Sequence, residues 1–297
     1  MRIIDAHVHL YPPEVGLDPA AWAAAHGEPH WAALCTRRRR DGRPVQTFPT
    51  VDHLLREMDR EQVDMAVLQG WYWEKAETCV GQNRFFAECR KAHPDRLAAF
   101  ATFHPSAGEA AVRDEIRWAR EAGFGGLGEL SPHSQNCRMD DPVLALALEL
   151  AGEYGLPVNL HVTDPRGRNY PGRVETPLED FQRLARGFPL TTFILAHWGG
   201  GLSLLEKDPA VRAGLSNVVY DTAASPLVSD EKIWRAALDV VPPDKVLFGT
   251  DYPLVLFPRT ENEPGWRGIL SEIDRAGLGE AEKTLLLAGN AARLLKL

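Results

Sequence analysis

Eight short apolar runs, separated by stretches with helical spacing, constrain this chain more than any other feature. The first is Ile3-Ile4, leading into Asp5-Ala6-His7-Val8-His9. The others are Met65–Leu68, Leu97–Phe100, Phe124–Leu130, Pro157–Leu160, Thr192–Leu195, Val218–Tyr220 and Val246–Phe248. Helical spacing marks Val51–Gln62, Asn83–His93, Glu109–Gly123, Leu178–Gly187, Leu202–Ala213 and Glu231–Val240. Gly265–Arg275 and Glu280–Leu295 close the chain in the same manner. One more helix carries explicit end signals: Asp141 as its cap, Pro142 in its first turn and Gly155 as its terminator. Strands that alternate with helices pair in parallel, and eight of them close into a (β/α)8 TIM barrel of the α/β class. An open doubly wound sheet is the alternative, but no Gly-x-Gly-x-x-Gly follows any strand. Residues 1–297 therefore read as a single barrel domain with one long insertion, 11–50, after strand 1. The insertion holds six prolines and three glycines, with Trp22, Trp31 and a short helix expected near Pro19 to His26. Ordered loops of that length usually serve function.

Barrel enzymes place their chemistry at the carboxyl ends of the strands, so those ends test for a site. His7 and His9, two apart on strand 1, point the same way and form half of a metal site. Strand 4 ends in Gly128-Glu129-Leu130, strand 5 in Leu160-His161-Val162 and strand 6 in Leu195-Ala196-His197. Strand 8 ends in Gly249-Thr250-Asp251-Tyr252-Pro253. Alone, His161 could be a core histidine, Asp251 a turn residue, Glu129 a loop cap and His197 a solvent-facing group. Together, four histidines and two carboxylates on one rim point to a divalent metal centre. Zinc is expected, as one ion or two.

Substrate contacts are assigned to residues beside these ends. Trp71, Tyr72 and Trp73 follow strand 2, and Tyr11, Trp198 and Tyr252 flank ligands, giving an aromatic wall for a ring or planar carboxylate. His133 is a further substrate-facing candidate, with His104 weaker. Arg166, Arg168 or Arg173, after strand 5, could clamp an anion. The run Arg37–Arg40 with Arg43 reads as a solvated loop, with anion or subunit binding as the alternative.

The net charge of −8 argues against a broad nucleic-acid surface. The four cysteines show no Cys-x-x-Cys spacing and read as free thiols in a reducing compartment. No leader precedes the first strand, and no apolar stretch reaches the ~18 residues of a membrane span. The expectation is a cytoplasmic enzyme acting on a small molecule, without nucleic-acid or membrane partners. The insertion with Trp22 and Trp31 is a candidate homodimer contact.

With these residues in place, the chain resembles the amidohydrolase superfamily. It is most similar to the amidohydrolase-related branch that includes aminocarboxymuconate semialdehyde decarboxylase-like enzymes. DAHVHL, NLHV, ILAHWGGG, LFGTDYP and the terminal GNAARLL carry the resemblance, in order, across the whole chain. It implies that His7, His9, His161 and Asp251 ligate metal and that His197 is a ligand or a catalytic group. In binuclear members a strand-4 carboxylate bridges two metals, so Glu129 leaves one ion or two open. The expected reaction is hydrolysis, a metal-activated water attacking an amide, lactone or ester carbonyl, with Asp251 carrying the proton and His197 steadying the oxyanion. Non-oxidative decarboxylation of a small aromatic or unsaturated acid is the alternative, using the same rim. A catalytically silent metal-binding barrel is the third reading, and the complete ligand set argues against it.

Overall fold

The computed structural model describes all 297 residues. Eight parallel strands form one sheet in sequential order: β1 Ile4–Val8, β2 Met65–Leu68, β3 Leu97–Ala101, β4 Gly126–Leu130, β5 Val158–Leu160, β6 Phe193–Leu195, β7 Val218–Asp221 and β8 Val246–Leu247. The ends of the sheet meet through Ala6 N–H to Phe248 O at 2.7 Å and His9 N–H to Tyr252 O at 2.6 Å. That contact closes the (β/α)8 barrel. Between strands and helices lies an apolar layer drawn from alternate strand residues such as Ala66, Leu68, Val158 and Leu160. The opposite phase, Ile4, Ala6, Met65, Val67, Ala98 and Phe100, fills the lower interior against Ala288, Ala291 and Leu295 of the C-terminal segment. No helix is long and apolar enough to cross a membrane.

Two irregularities in the ladder aim the functional side chains. In β1, Asp5 pairs with Ala66 but the next pair is Val8 with Leu68, so the strand carries one extra residue. Ile4 and Ala6 lie in the inner cluster, whereas Val8 joins the outer layer. Strict alternation would have turned His7 towards the helices; the bulge flips the phase and turns it inward. In β4 the register shifts between Leu127 and Leu130, around Glu129. Gly128 there has φ +132, and a Cβ would lie 2.6 Å from the Asn159 carbonyl oxygen. Only glycine fits. Gly128→Ala is expected to cost about 1–3 kcal/mol, read from a urea melt, because it combines overpacking with a disallowed φ.

The helices differ from the sequence expectation where a local group competes. Leu202–Ala213 is two short helices, Leu202–Leu205 and Pro209–Ala213, because Asp208 caps a new start at Pro209. Glu280–Leu295 is interrupted by a wide turn at Leu285–Gly289, where the Leu286 carbonyl accepts a hydrogen bond from Phe248 N–H at 3.0 Å. The helix expected from Asn83 begins at Ala76, and the one expected over Glu231–Val240 spans Ile233–Leu238. The insertion has three helices rather than one: Pro13–Leu17, Pro19–His26 and Pro29–Cys35. Each has proline at its first position, where the missing N–H costs nothing. They pack on Trp71, Tyr72 and Trp73 through Val15 and Trp31, with Tyr11 in the same cluster.

Candidate metal centre

His7 and His9 face each other across the top of the barrel, their Nε2 atoms 3.1 Å apart. His7 Nδ1 lies 2.9 Å from an Asp221 carboxylate oxygen, and His9 Nδ1 lies 3.2 Å from the Gln69 carbonyl. Both neighbours only accept, so both Nδ1 atoms carry the hydrogen. In the neutral rings each Nε2 then presents a bare lone pair to the other. Two lone pairs at that distance require a proton or a cation between them. Asp251 Oδ1 joins them at 3.3 Å from His9 Nε2 and 3.9 Å from His7 Nε2.

Glu129, His161 and His197 form a second triad beside the first; within each triad the ligand atoms lie inside 4.8 Å of one another. Glu129 Oε1 is 3.0 Å from His161 Nδ1 and 3.4 Å from His197 Nε2. Its Oε2 reaches the first triad, 3.6 Å from His9 and 3.8 Å from His7. His197 gives its Nδ1 hydrogen to the Ala223 carbonyl at 3.0 Å, leaving its Nε2 bare as well. Both His197 (φ 58) and Asp251 (φ 67) occupy the left-handed backbone region. Conformations of that kind in non-glycine residues persist where the surrounding structure holds them, and they cluster at functional sites.

The charges follow from this crowding. Burial opposes a charge on His7, but the Asp221 and Glu129 carboxylates outweigh it and hold the imidazole up at about 10. Burial likewise opposes charge on His197, and the hydrogen bond to Glu129 and the charge of Asp251 raise it to about 9. Despite burial, the imidazoles of His161 and His7 hold Glu129 well below the usual carboxylate range, and His9 and His7 depress Asp251. Burial lowers His161. Without metal, protons thus occupy the place between the lone pairs. The donor set of bare imidazole nitrogens and ionised carboxylates fits a divalent ion, which meets the same demand.

Asp221 is a functional residue the strand-end reading missed, although it directly follows the run Val218-Val219-Tyr220. Fully buried, it accepts from Asn159 Nδ2 at 3.0 Å and from the backbone N–H groups of His197 (3.1 Å) and Ala223 (3.0 Å), besides His7. It orients residues from both triads.

A cavity of about 490 Å³ opens onto His9, Glu129, His161, His197 and Asp251. Trp71 and Tyr72 line it as expected, stacked on each other at 4.4 Å, with Trp71 5.1 Å from His9 and Tyr72 5.3 Å from His161. The other expected contacts lie elsewhere, Tyr11 in the insertion core and Tyr252 stacked on Trp266 among them. Trp73 turns into the insertion core and donates to Gln82 at 2.7 Å. Trp198 is buried behind the rim, bonded to Ser225 and edge-on to Trp234. His133 is tied to Asp180 at 2.8 Å, away from the cavity. Arg166 pairs with Asp164 at 2.9 Å on an outer, exposed groove. The arginines that do line the cavity are Arg37 to Arg40, read from sequence as a solvated loop with anion or subunit binding as the alternative.

The chain belongs to the amidohydrolase family, whose model matches residues 4–297. It is 25% identical to 2-amino-3-carboxymuconate-6-semialdehyde decarboxylase of Dictyostelium discoideum, over 83% of this chain and 76% of that protein. Among solved structures, 5-carboxyvanillate decarboxylase from Sphingomonas paucimobilis superposes with TM-score 0.75 at 21% identity, covering 100% of this chain and 99% of that one. The Novosphingobium aromaticivorans 5-carboxyvanillate decarboxylase, complexed with manganese and 4-hydroxy-3-methoxy-5-nitrobenzoic acid, gives TM-score 0.75 at 17% identity, covering 100% and 96%. A Rhizobium 2,6-dihydroxybenzoate decarboxylase gives 0.68 at 17%, covering 100% and 99%. The structural matches carry the barrel fold, and family membership makes the chain a metal-dependent enzyme.

Proposed function

We propose that this enzyme is a divalent-metal-dependent, non-oxidative decarboxylase of a small aromatic carboxylic acid. The observation that carries the reading is the cavity itself. It is sized for one small molecule and joins a metal-ligating cluster to the stacked rings of Trp71 and Tyr72. The decarboxylases among its relatives support the same reading. Hydrolysis, the reaction expected from an acid on strand 4, gives way to it. One observation still favours hydrolysis as a second reading: Glu129 reaches both triads, the position of a bridging ligand.

We assign His7, His9 and Asp251 as the primary ligands, with Glu129, His161 and His197 as the adjoining set. This mixed imidazole and carboxylate set serves manganese as well as zinc, and the manganese in a structural neighbour puts it ahead of the zinc expected from sequence. Such an ion, when bound, would supply the positive charge that draws the acid to the site. The side chains do the rest. Trp71 and Tyr72 hold the ring flat. Carbon–carbon cleavage replaces the carboxylate with hydrogen, so a proton must reach the vacated carbon. Asp251 and His197, which both line the cavity, are assigned to carry it.

The test is product analysis on manganese-loaded protein with a panel of hydroxylated benzoates. Release of carbon dioxide with formation of the matching arene is expected. Cleavage of lactones, esters or amides with no carbon dioxide from any acid overturns the reading, and two ions per chain by elemental analysis would accompany that outcome. Asp221 yields a separate prediction. Asp221→Ala removes the acceptor that fixes the His7 tautomer, so metal affinity should fall about 10–100-fold in a chelator competition.

A further inference from the structure

A second cavity, of about 340 Å³, lies between the start of the insertion and the helix Ala76–Ala92. It shares no lining residue with the cavity at the metal centre. Trp22, from the helix Pro19–His26, meets the buried Trp73 with centroids 5.4 Å apart and planes 62° apart. The two indoles therefore form the walls of a corner. His26 gives its Nδ1 hydrogen to the Trp22 carbonyl at 2.8 Å and stacks on the Trp22 ring at 4.3 Å. Phe85 adds a fourth ring to the lining. Gln82 holds the back of the corner: its Oε1 accepts from Trp73 Nε1 and from the Trp71 backbone N–H, both at 2.7 Å. Trp31, behind Trp22, is fully buried, whereas Trp22 itself is only half-buried and leaves part of its ring open.

The charge of this cavity has one sign. Glu14 and Glu77 both line it, and no lysine or arginine does. Both are exposed, and no partner neutralises either one. The acids next to them are already used. Glu28 accepts from the backbone N–H groups of Glu74 at 2.7 Å and Lys75 at 3.1 Å, and Glu74 accepts from His30 N–H at 2.7 Å. Glu14 and Glu77 each stand in the first turn of a helix, where a carboxylate offsets the positive end of the dipole. That end carries about half a charge per helix, so two carboxylates leave about one negative charge uncompensated. The acids repel an anion, and an inorganic cation would gain little from the rings. An organic ammonium ion meets both demands, because aromatic faces attract a weakly hydrated cation.

We propose that this cavity is a binding site for a small organic ammonium ion, seated against the Trp22 and Trp73 rings with its charge answered by Glu14 and Glu77. The site is separate from the metal centre and does not depend on the decarboxylase reading.

The test follows the indole N–H signals of Trp22 and Trp73 by NMR during titration of the full chain with choline, the signals being assigned from Trp22→Phe and Trp73→Phe proteins. The control is 3,3-dimethyl-1-butanol, in which carbon replaces the charged nitrogen. Choline should shift both signals along one saturating curve and bind about tenfold or more tightly than the alcohol, the worth of a cation–aromatic contact with its charge compensated. The double variant Glu14→Gln/Glu77→Gln alters two exposed side chains and leaves the packing alone, so it should fold normally and lose most of that preference. Four results overturn the proposal. They are no saturation by about 50 mM choline, equal affinity for the alcohol, a preference that survives in the double variant, and shifts confined to Trp71, which would place the ligand in the metal-centre cavity.

Discussion

Replacing His7 by alanine is expected to empty the metal centre and remove measurable turnover. The substitution takes away one of the two lone pairs that face each other at 3.1 Å, and with it the only side-chain contact joining Asp221 to the first triad. Loss of a supporting partner alone typically costs about 10–100-fold in metal affinity, so loss of a ligand should exceed about 100-fold. Folding should suffer too. Asp221 stays buried and keeps Asn159 and two backbone N–H groups, but its charge has lost the imidazole that faced it. Breaking a buried pair of that kind costs about 3–5 kcal/mol, and the remaining donors place this case at the lower end. His9→Gln guards against confusing an unfolded variant with an empty site. The Nδ1 of His9 meets a neutral carbonyl, and Asp251, which loses the His9 ring, keeps the imidazoles of His7 and His197 beside it. Elemental analysis of both variants after dialysis against micromolar manganese decides the matter. A full complement of metal in either one overturns the ligand assignment.

Much of this site is legible in the sequence because the barrel does the geometric work. Once eight strands are recognised, His7, His9, Glu129, His161, His197 and Asp251 have only one rim to occupy, and periodicity alone brings residues from opposite ends of the chain into one cluster. What remained illegible depends on packing rather than on period. Trp71 and Trp73 sit two apart, yet one lines the cavity and the other is taken by Gln82 and the insertion. Nothing in the local sequence separates them. Trp198 directly follows a cluster residue, but a run of left-handed residues from His197 to Gly201 turns its ring away from the cavity. Arg166 looks like a clamp until Asp164, two residues earlier, is seen to neutralise it. Arg37 looks solvated until the end of the insertion is seen paired with the loop after Asp251. The bulge in β1 is the subtlest case. The inference that His7 and His9 share a face holds, but which face they share is set by one extra residue that alternation does not reveal.

Asp251→Asn is expected to lower turnover by about 10²–10⁴-fold, the usual contribution of a positioned proton carrier. The argument begins with its charge. Burial alone would favour the neutral acid, but the imidazoles of His9, His7 and His197 hold it below the ordinary carboxylate range. In the resting site Asp251 is therefore ionised. Before it can serve the vacated ring carbon it must take up a proton, from solvent or from an acidic hydroxyl of the substrate, and then release it. Asparagine preserves the shape and one acceptor oxygen, which lies among the same neighbours as the carboxylate, but it can carry no proton. Substrate binding should survive where the retained acceptor oxygen keeps the metal, since the aromatic wall lies outside the change, so the loss should fall on kcat rather than KM. Isotope incorporation supplies the second readout. Wild-type turnover in D2O should place deuterium at the carbon that loses carbon dioxide, and burst measurements should show the proton step slowing in the variant. An Asp251→Asn protein that keeps its metal and more than about a tenth of wild-type kcat removes Asp251 from the proton path and leaves His197, whose bare Nε2 lies on the same cavity, as the group to replace next.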